Sequence, residues 1–168
     1  APPAIMWRNA WVKLCDHWVE RQWEDTFRIS NNKDRGMLIT GNNQWRDYTV
    51  TSKINFESAK SAGICARFQG IQRYYALEIT SDKKIRLVKM YDGIIKLIEK
   101  NINIKLNTEY KLSLSLDGNN LIAQVNNKNI LKFKDSFLNL VPSHLLQLDF
   151  NIKLFAQDFN FLLSENEN

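Results

Sequence analysis

Hydrophobic and polar residues alternate along most of this chain with a period of two. Tyr48, Val50, Ser52, Ile54 and Phe56 alternate with Thr49, Thr51, Lys53 and Asn55, the pattern of a strand that buries one face. After a polar break at Glu57–Ala62, Gly63 opens a second run in which Ile64, Ala66 and Phe68 alternate with Cys65, Arg67 and Gln69. Gly70–Arg73 is a short turn into Tyr74–Ile79, so the three runs predict a strand–turn–strand–turn–strand meander. Lys84–Met90 alternates again, and Tyr91-Asp92-Gly93 supplies an Asp-Gly hairpin turn into Ile94–Glu99. Tyr110–Leu116 is the clearest strand of all. It turns at Asp117-Gly118-Asn119-Asn120, pairs back through Leu121–Val125, turns at Asn126–Asn129 and continues through Ile130–Phe133.

The ends of the chain are less regular. Met6–Cys15 suits a strand near a sheet edge, and the Trp- and charge-rich His17–Asp25 reads as loop or one short helical turn. Phe27–Ser30 is a brief strand, and Asn31–Gly36 is a turn by composition. Leu145–Ile152 and Phe155–Leu163 close the pattern before a polar tail, 164–168, expected to fray. About a dozen short strands joined by Asn, Asp and Gly turns, with little sign of helix, predict an all-β, two-sheet antiparallel β-sandwich.

Composition narrows the class. A chain of 168 residues, 44% hydrophobic and 24% charged, is one domain by length, residues 1–168, with enough apolar surface for a core. The opening APPAIMW lacks initiator Met and signal-peptide regions, which favours a piece cut from a longer protein in a cytoplasmic setting. No apolar run approaches the roughly 18 residues of a membrane span. Cys15 and Cys65 form neither a disulfide framework nor a Cys/His metal pattern, and Cys65 reads as a buried free thiol. The net charge of +5 is carried by lysines that mostly alternate with Ile, Leu or Val. That is a solvated sheet face rather than a phosphate-binding stripe, so nucleic acid is not an expected partner.

Catalytic patterns are missing. A glycosidase needs two opposed carboxylates, but the nearest acidic group, Glu20, Glu24 and Asp25, lies in a Trp-rich stretch without strand alternation. His17 and His144 belong to no recognisable triad, and there is no GxGxxG or P-loop. No cofactor is expected. A structural calcium near Asp92, Asp117 or Asp158 is the one metal left open, although turn-forming is the ordinary use of each.

Binding chemistry is better represented. Sugars are held by aromatic faces and by planar polar groups that pair with adjacent hydroxyls. Arg67 and Gln69 share a strand face. The apolar company of Tyr75 assigns it to the core, which puts Tyr74 and Glu78 on the open face beside Arg67. Lys89 would extend that face on the next strand, and Trp45 precedes a strand at a loop suited to docking. Against this stands a plain cross-strand ion pair between Arg67 and Glu78.

The segments MWRNAWV (6–12), FRI (27–29), RGMLITG (35–41), QWRDYTV (44–50), AGICARFQGIQRYYALEIT (62–80) and IRLVKMYDG (85–93) occur in that order. Together they resemble the C-terminal β-sandwich domain of ADP-ribosylglycohydrolase-like proteins and, more loosely, concanavalin A-like jelly rolls used as carbohydrate-binding modules. The likeness covers residues 6–93; beyond Lys100 it is to the strand rhythm alone. It implies a jelly-roll accessory domain attached to a catalytic domain of the parent chain, non-catalytic itself, with a carbohydrate or ADP-ribose-type ligand. The alternative is a structural domain that packs on its catalytic partner or dimerises, with the Trp-rich segment 7–23 as its contact surface.

Overall fold

The computed structural model describes residues 12–20, 27–30, 35–39, 46–55, 59–135 and 150–157. They form thirteen strands: β1 (Val12–Leu14), β2 (His17–Glu20), β3 (Phe27–Ser30), β4 (Arg35–Ile39), β5 (Tyr48–Asn55), β6 (Ser61–Gly70), β7 (Arg73–Thr80), β8 (Lys84–Tyr91), β9 (Ile94–Asn101), β10 (Glu109–Asp117), β11 (Asn120–Val125), β12 (Lys128–Lys134) and β13 (Phe150–Gln157). A seven-stranded sheet runs in the order β1-β4-β13-β6-β7-β8-β9 and a four-stranded sheet in the order β12-β11-β10-β5. The hairpin β2–β3 is a separate two-stranded sheet, and every pairing among the described strands is antiparallel. The chain is therefore a two-sheet antiparallel β-sandwich. No helix among the described residues is long and apolar enough to cross a membrane.

The period-two pattern sets the core between the sheets. Val50 and Ile54 of β5 meet Leu112, Leu114 and Leu116 of β10 and Leu121, Ala123 and Val125 of β11 on one side. Ile64, Ala66, Tyr75, Leu77, Ile79, Ile85 and Leu87 supply the other. Outward positions of the four-stranded sheet carry hydroxyls that pair across strands, Thr49 with Ser115 at 2.8 Å and Thr51 with Ser113 at 2.9 Å. The Asp-Gly and Asn turns behave as their chemistry requires, with Asp92, Asn126, Asn127 and Gly118 all at positive φ.

Four elements differ from the sequence reading. The meander starts one strand later: β5 pairs with β10 in the other sheet, and β6-β7-β8-β9 are the consecutive strands. The polar break before Gly63 is thus a crossing between layers, and β6 itself begins at Ser61. Residues 17–20 are a strand because they pair with β3, His17 opposite Ser30. Arg35 and Gly36, expected in a turn, belong to β4. Near the C-terminus one strand, β13, spans the gap expected between two, and it inserts between β4 and β6.

The seven-stranded sheet is also buried on its outer face. Met37, Ile39, Cys65, Phe68, Tyr74, Ala76, Val88 and Met90 form a second apolar cluster there, with Leu14 against it. Burial pushes the Cys65 thiol well above its ordinary pKa, so it stays an unreactive free thiol.

Phe68 owes its place to Arg67. Arg67 has φ 49, and the pairing of β6 with β7 slips between Ala66 and Gly70. A bulge of this kind inverts the parity of everything after it. Phe68, expected on the core face with Ile64 and Ala66, therefore packs outward against Tyr74, ring centroids 5.8 Å apart.

Candidate functional site

One end of the sandwich collects polar and aromatic groups from both sheets. The register brings the start of β5 beside the end of β10, and the ends of β6 and β8 beside the start of β7. Arg67 bridges the layers here. Its backbone N–H donates to the Tyr48 hydroxyl at 2.6 Å, and its Nε donates to the Arg46 carbonyl at 3.1 Å. Its terminal nitrogen pairs with Asp47 Oδ1 at 3.1 Å. The same Asp47 oxygen accepts from the Gly118 N–H at 2.8 Å, fastening the β10–β11 turn to the β5 entry. The Arg67 side chain is 6% exposed and that of Asp47 59%.

A second bridge lies alongside. Tyr75 and Lys89 are register partners on the core side, and both donate to Asp135 Oδ2, the phenol at 2.7 Å and the ammonium at 2.9 Å. Burial, then the hydrogen bond to the negative Asp135, raise the Tyr75 phenol well above its ordinary range, with Arg67 pulling weakly the other way. Tyr75 stays a neutral donor.

The outer rim of this end is more open. Gln69 is half-buried, and its amide nitrogen is buried without a hydrogen-bond partner among the described residues. The β6–β7 turn exposes Ile71 and Gln72. Arg73 lays its guanidinium 5.2 Å from the centroid of Tyr91, its register partner on β8. Tyr91 is 38% exposed and is the one exposed aromatic among residues whose burial is described. The two turns are tied together by the Asp92 N–H donating to the Gln72 carbonyl at 3.2 Å.

The six residues singled out in the sequence thus divide. Arg67, Gln69 and Lys89 gather at this end, but Arg67 is buried and Lys89 faces inward instead of continuing the face of Tyr74. Tyr74 and Glu78 do share the opposite face, where the second cluster buries them at 3% and 0% exposure. No Arg67–Glu78 pair forms: Arg67 pairs with Asp47, while Arg35 approaches Glu78 Oε2 at 3.2 Å and Arg86 donates to Oε1. Burial opposes the Arg35 charge, yet Glu78 and Tyr74 outweigh it and its pKa is raised. Burial chiefly raises that of Tyr74. Trp45 and Asp158 lie outside the described residues. Asp92 and Asp117 sit in or beside turns, and among the described residues no three His, Cys, Asp or Glu gather as metal ligands.

Asp135 and Arg35 were missed because neither carries a local signal; each is distant in sequence from the group it meets. Tyr91 was within reach of a sequence argument, as an aromatic abutting an Asp-Gly hairpin turn, where side chains face solvent.

Arg67 stores strain that its contacts outweigh. Arg67→Ala is expected to lose about 2–3 kcal/mol for the two hydrogen bonds of its guanidinium, one of them to a carboxylate. Arg67→Gly should recover roughly 1 kcal/mol of that, because glycine adopts the left-handed backbone without cost. Urea unfolding of the pair measures the difference; equal stabilities would mean the bulge is unstrained.

Solved structures of similar fold include the carbohydrate-binding module CBM66 from Bacillus subtilis, at 16% identity and TM-score 0.67, covering 89% of this chain and 92% of that one. A GH43 protein from Bacillus licheniformis matches at 14% identity and TM-score 0.66 over 89% of this chain, which spans 33% of that protein. Domain 4 of AbnA, a GH43 extracellular arabinanase from Geobacillus stearothermophilus in complex with arabinotriose, matches at 11% identity and TM-score 0.53. It covers 84% of this chain and 66% of that one. At such identities the likeness is one of fold. No protein-family model matches the chain, and no curated protein matches it.

Proposed function

We propose that this chain is a carbohydrate-binding β-sandwich module without catalytic machinery of its own, and that its ligand sits at the sandwich end around Tyr91. The observation that carries this reading is the Arg73–Tyr91 pair: an exposed aromatic ring backed by a planar donor. Rings of this kind take the apolar face of a sugar, and planar polar side chains take its hydroxyls. Gln69 offers an amide nitrogen with no partner among the described residues, which a ligand hydroxyl would supply. Arg67 and Lys89 hold the end together from beneath, and Tyr74 and Glu78 act at a distance by packing β7. The fold likeness to a carbohydrate-binding module and to an arabinanase domain solved with arabinotriose supports a glycan ligand. Nothing in those likenesses supports the ADP-ribosylglycohydrolase association, so ADP-ribose enters as a competitor to be tested.

A second reading, docking on a partner domain, is favoured by Ile71, Ile94 and Ile95, all exposed around Tyr91. Titration of labelled protein with mono- and oligosaccharides, arabinotriose and ADP-ribose separates the two. The expected result is a saturable shift of Gln69, Arg73 and Tyr91 signals by a glycan, weakened about tenfold (~1.4 kcal/mol) in Tyr91→Ala. No saturable response to any glycan overturns the glycan reading, and a response unaffected by Tyr91→Ala and Gln69→Ala overturns the site.

A further inference from the structure

The chain contains two Asp-Gly bonds, Asp92–Gly93 and Asp117–Gly118, and the fold treats their amide nitrogens differently. Such a bond isomerises when the glycine nitrogen attacks the side-chain carboxyl carbon of the aspartate. The new C–N bond closes a succinimide; the nitrogen's proton and the carboxyl's hydroxyl leave as water. Water then reopens the ring at either carbonyl. Opening at the former backbone carbonyl leaves the main chain running through the side-chain carbon, as isoaspartate. Atoms balance without any oxidant or co-reactant, and the step needs a glycine nitrogen that is accessible and free to lose its proton.

At Asp117–Gly118 that nitrogen is engaged. The Gly118 N–H donates to Asp47 Oδ1 at 2.8 Å, and Asp47 is itself held by Arg67. Losing the proton would break a charge-assisted hydrogen bond and set a developing negative charge against a carboxylate. At Asp92–Gly93 the turn is exposed, and the Gly93 N–H makes no hydrogen bond among the described residues. The turn is held instead through the Gly93 carbonyl, which accepts from the Tyr91 N–H at 3.0 Å, and through the Asp92 N–H. A side chain added at Gly93 would meet nothing within 4 Å among the described residues, so a closing ring has room.

We propose that Asp92–Gly93 is a site of spontaneous isoaspartate formation and that Asp47 shields Asp117–Gly118 from the same reaction. The product adds a carbon to the backbone of the β8–β9 turn. It draws the Asp92 N–H away from the Gln72 carbonyl and loosens the tie between the two turns. This inference stands apart from the glycan reading, since neither the motif nor the hydrogen bonds depend on a ligand.

The test is prolonged incubation of the folded protein at physiological temperature in heavy-oxygen water, followed by digestion and fragmentation that distinguishes isoaspartate. Each cycle of closure and reopening inserts one heavy oxygen. Label and isoaspartate are expected at Asp92, exceeding those at Asp117 by about tenfold, the factor that one charge-assisted hydrogen bond imposes. The denatured chain should label both sites equally, and Asp47→Ala should raise labelling at Asp117. Equal labelling in the folded wild type, more at Asp117, or none at Asp92 while the denatured chain reacts, overturns the proposal; none of these depends on the variant folding.

Discussion

Gly63→Ala is expected to prevent the chain from folding. Gly63 lies on β6 opposite Glu78 of β7, in the middle of the seven-stranded sheet. A Cβ there would stand 2.0 Å from the Leu77 carbonyl oxygen, 2.7 Å from Glu78 Cα and 2.9 Å from the Leu77 carbonyl carbon. All three are backbone atoms of a strand paired on both sides, so no side-chain rotation relieves the clash. Overpacking by a methyl ordinarily costs about 1–3 kcal/mol because side chains give way. Here two strands must part, and the cost should exceed ~4 kcal/mol, a large share of what holds a domain of this size together. Gly70→Ala is the control: among the described residues nothing lies within 4 Å of the added Cβ, and its effect should stay within about 0.5 kcal/mol. Thermal unfolding followed by circular dichroism measures both. A Gly63→Ala protein that melts cooperatively near wild type would show that the strands do not approach this closely.

Glu78→Leu should be nearly as damaging, for an electrostatic reason. Glu78 is 0% exposed, and its carboxylate lies between the guanidiniums of Arg35 and Arg86, whose side chains are 8% and 29% exposed. Without it Arg86 can turn to water, while the buried Arg35 loses the carboxylate it approaches at 3.2 Å. Removing one member of a buried ion pair typically costs ~3–5 kcal/mol. The double variant Arg35→Met/Glu78→Leu removes both charges of the pair. It is expected to be more stable than Glu78→Leu alone, since apolar groups replace buried ion pairs at little net cost. If the double variant is the less stable, Arg35 contributes by packing and not through Glu78. Urea midpoints of the three proteins decide it.

The faces of the sheet show how much was legible in the sequence. Alternation in β5 and β10 agrees with the burial of Val50, Ile54, Tyr110, Leu112, Leu114 and Leu116, because each strand has one wet face and regular pairing. In β6 and β7 nearly every residue is buried. The near-continuous apolar runs Gly63–Ala66 and Tyr74–Leu77 are the local sign of burial on both faces, and they argue against an open face for Tyr74. The split of the six site residues has a different origin. Arg67 leaves the outer face at a bulge, and a left-handed arginine has no signature comparable to that of glycine or asparagine.

Some properties of this protein follow from its amino-acid order alone. Strand length, hairpin turns and inward-facing residues depend on side-chain period and on backbone preferences within a few residues, both of which are local. The all-β class follows from them. Only the tertiary structure decided that β5 leaves the meander for the other sheet, that β13 enters the middle of the larger one, and that Asp47, Tyr91 and Asp135 meet at one end. Each of these joins groups far apart along the chain. Which distant groups pair is settled by the combined burial and hydrogen bonding of the whole sandwich, a quantity no single stretch of sequence contains.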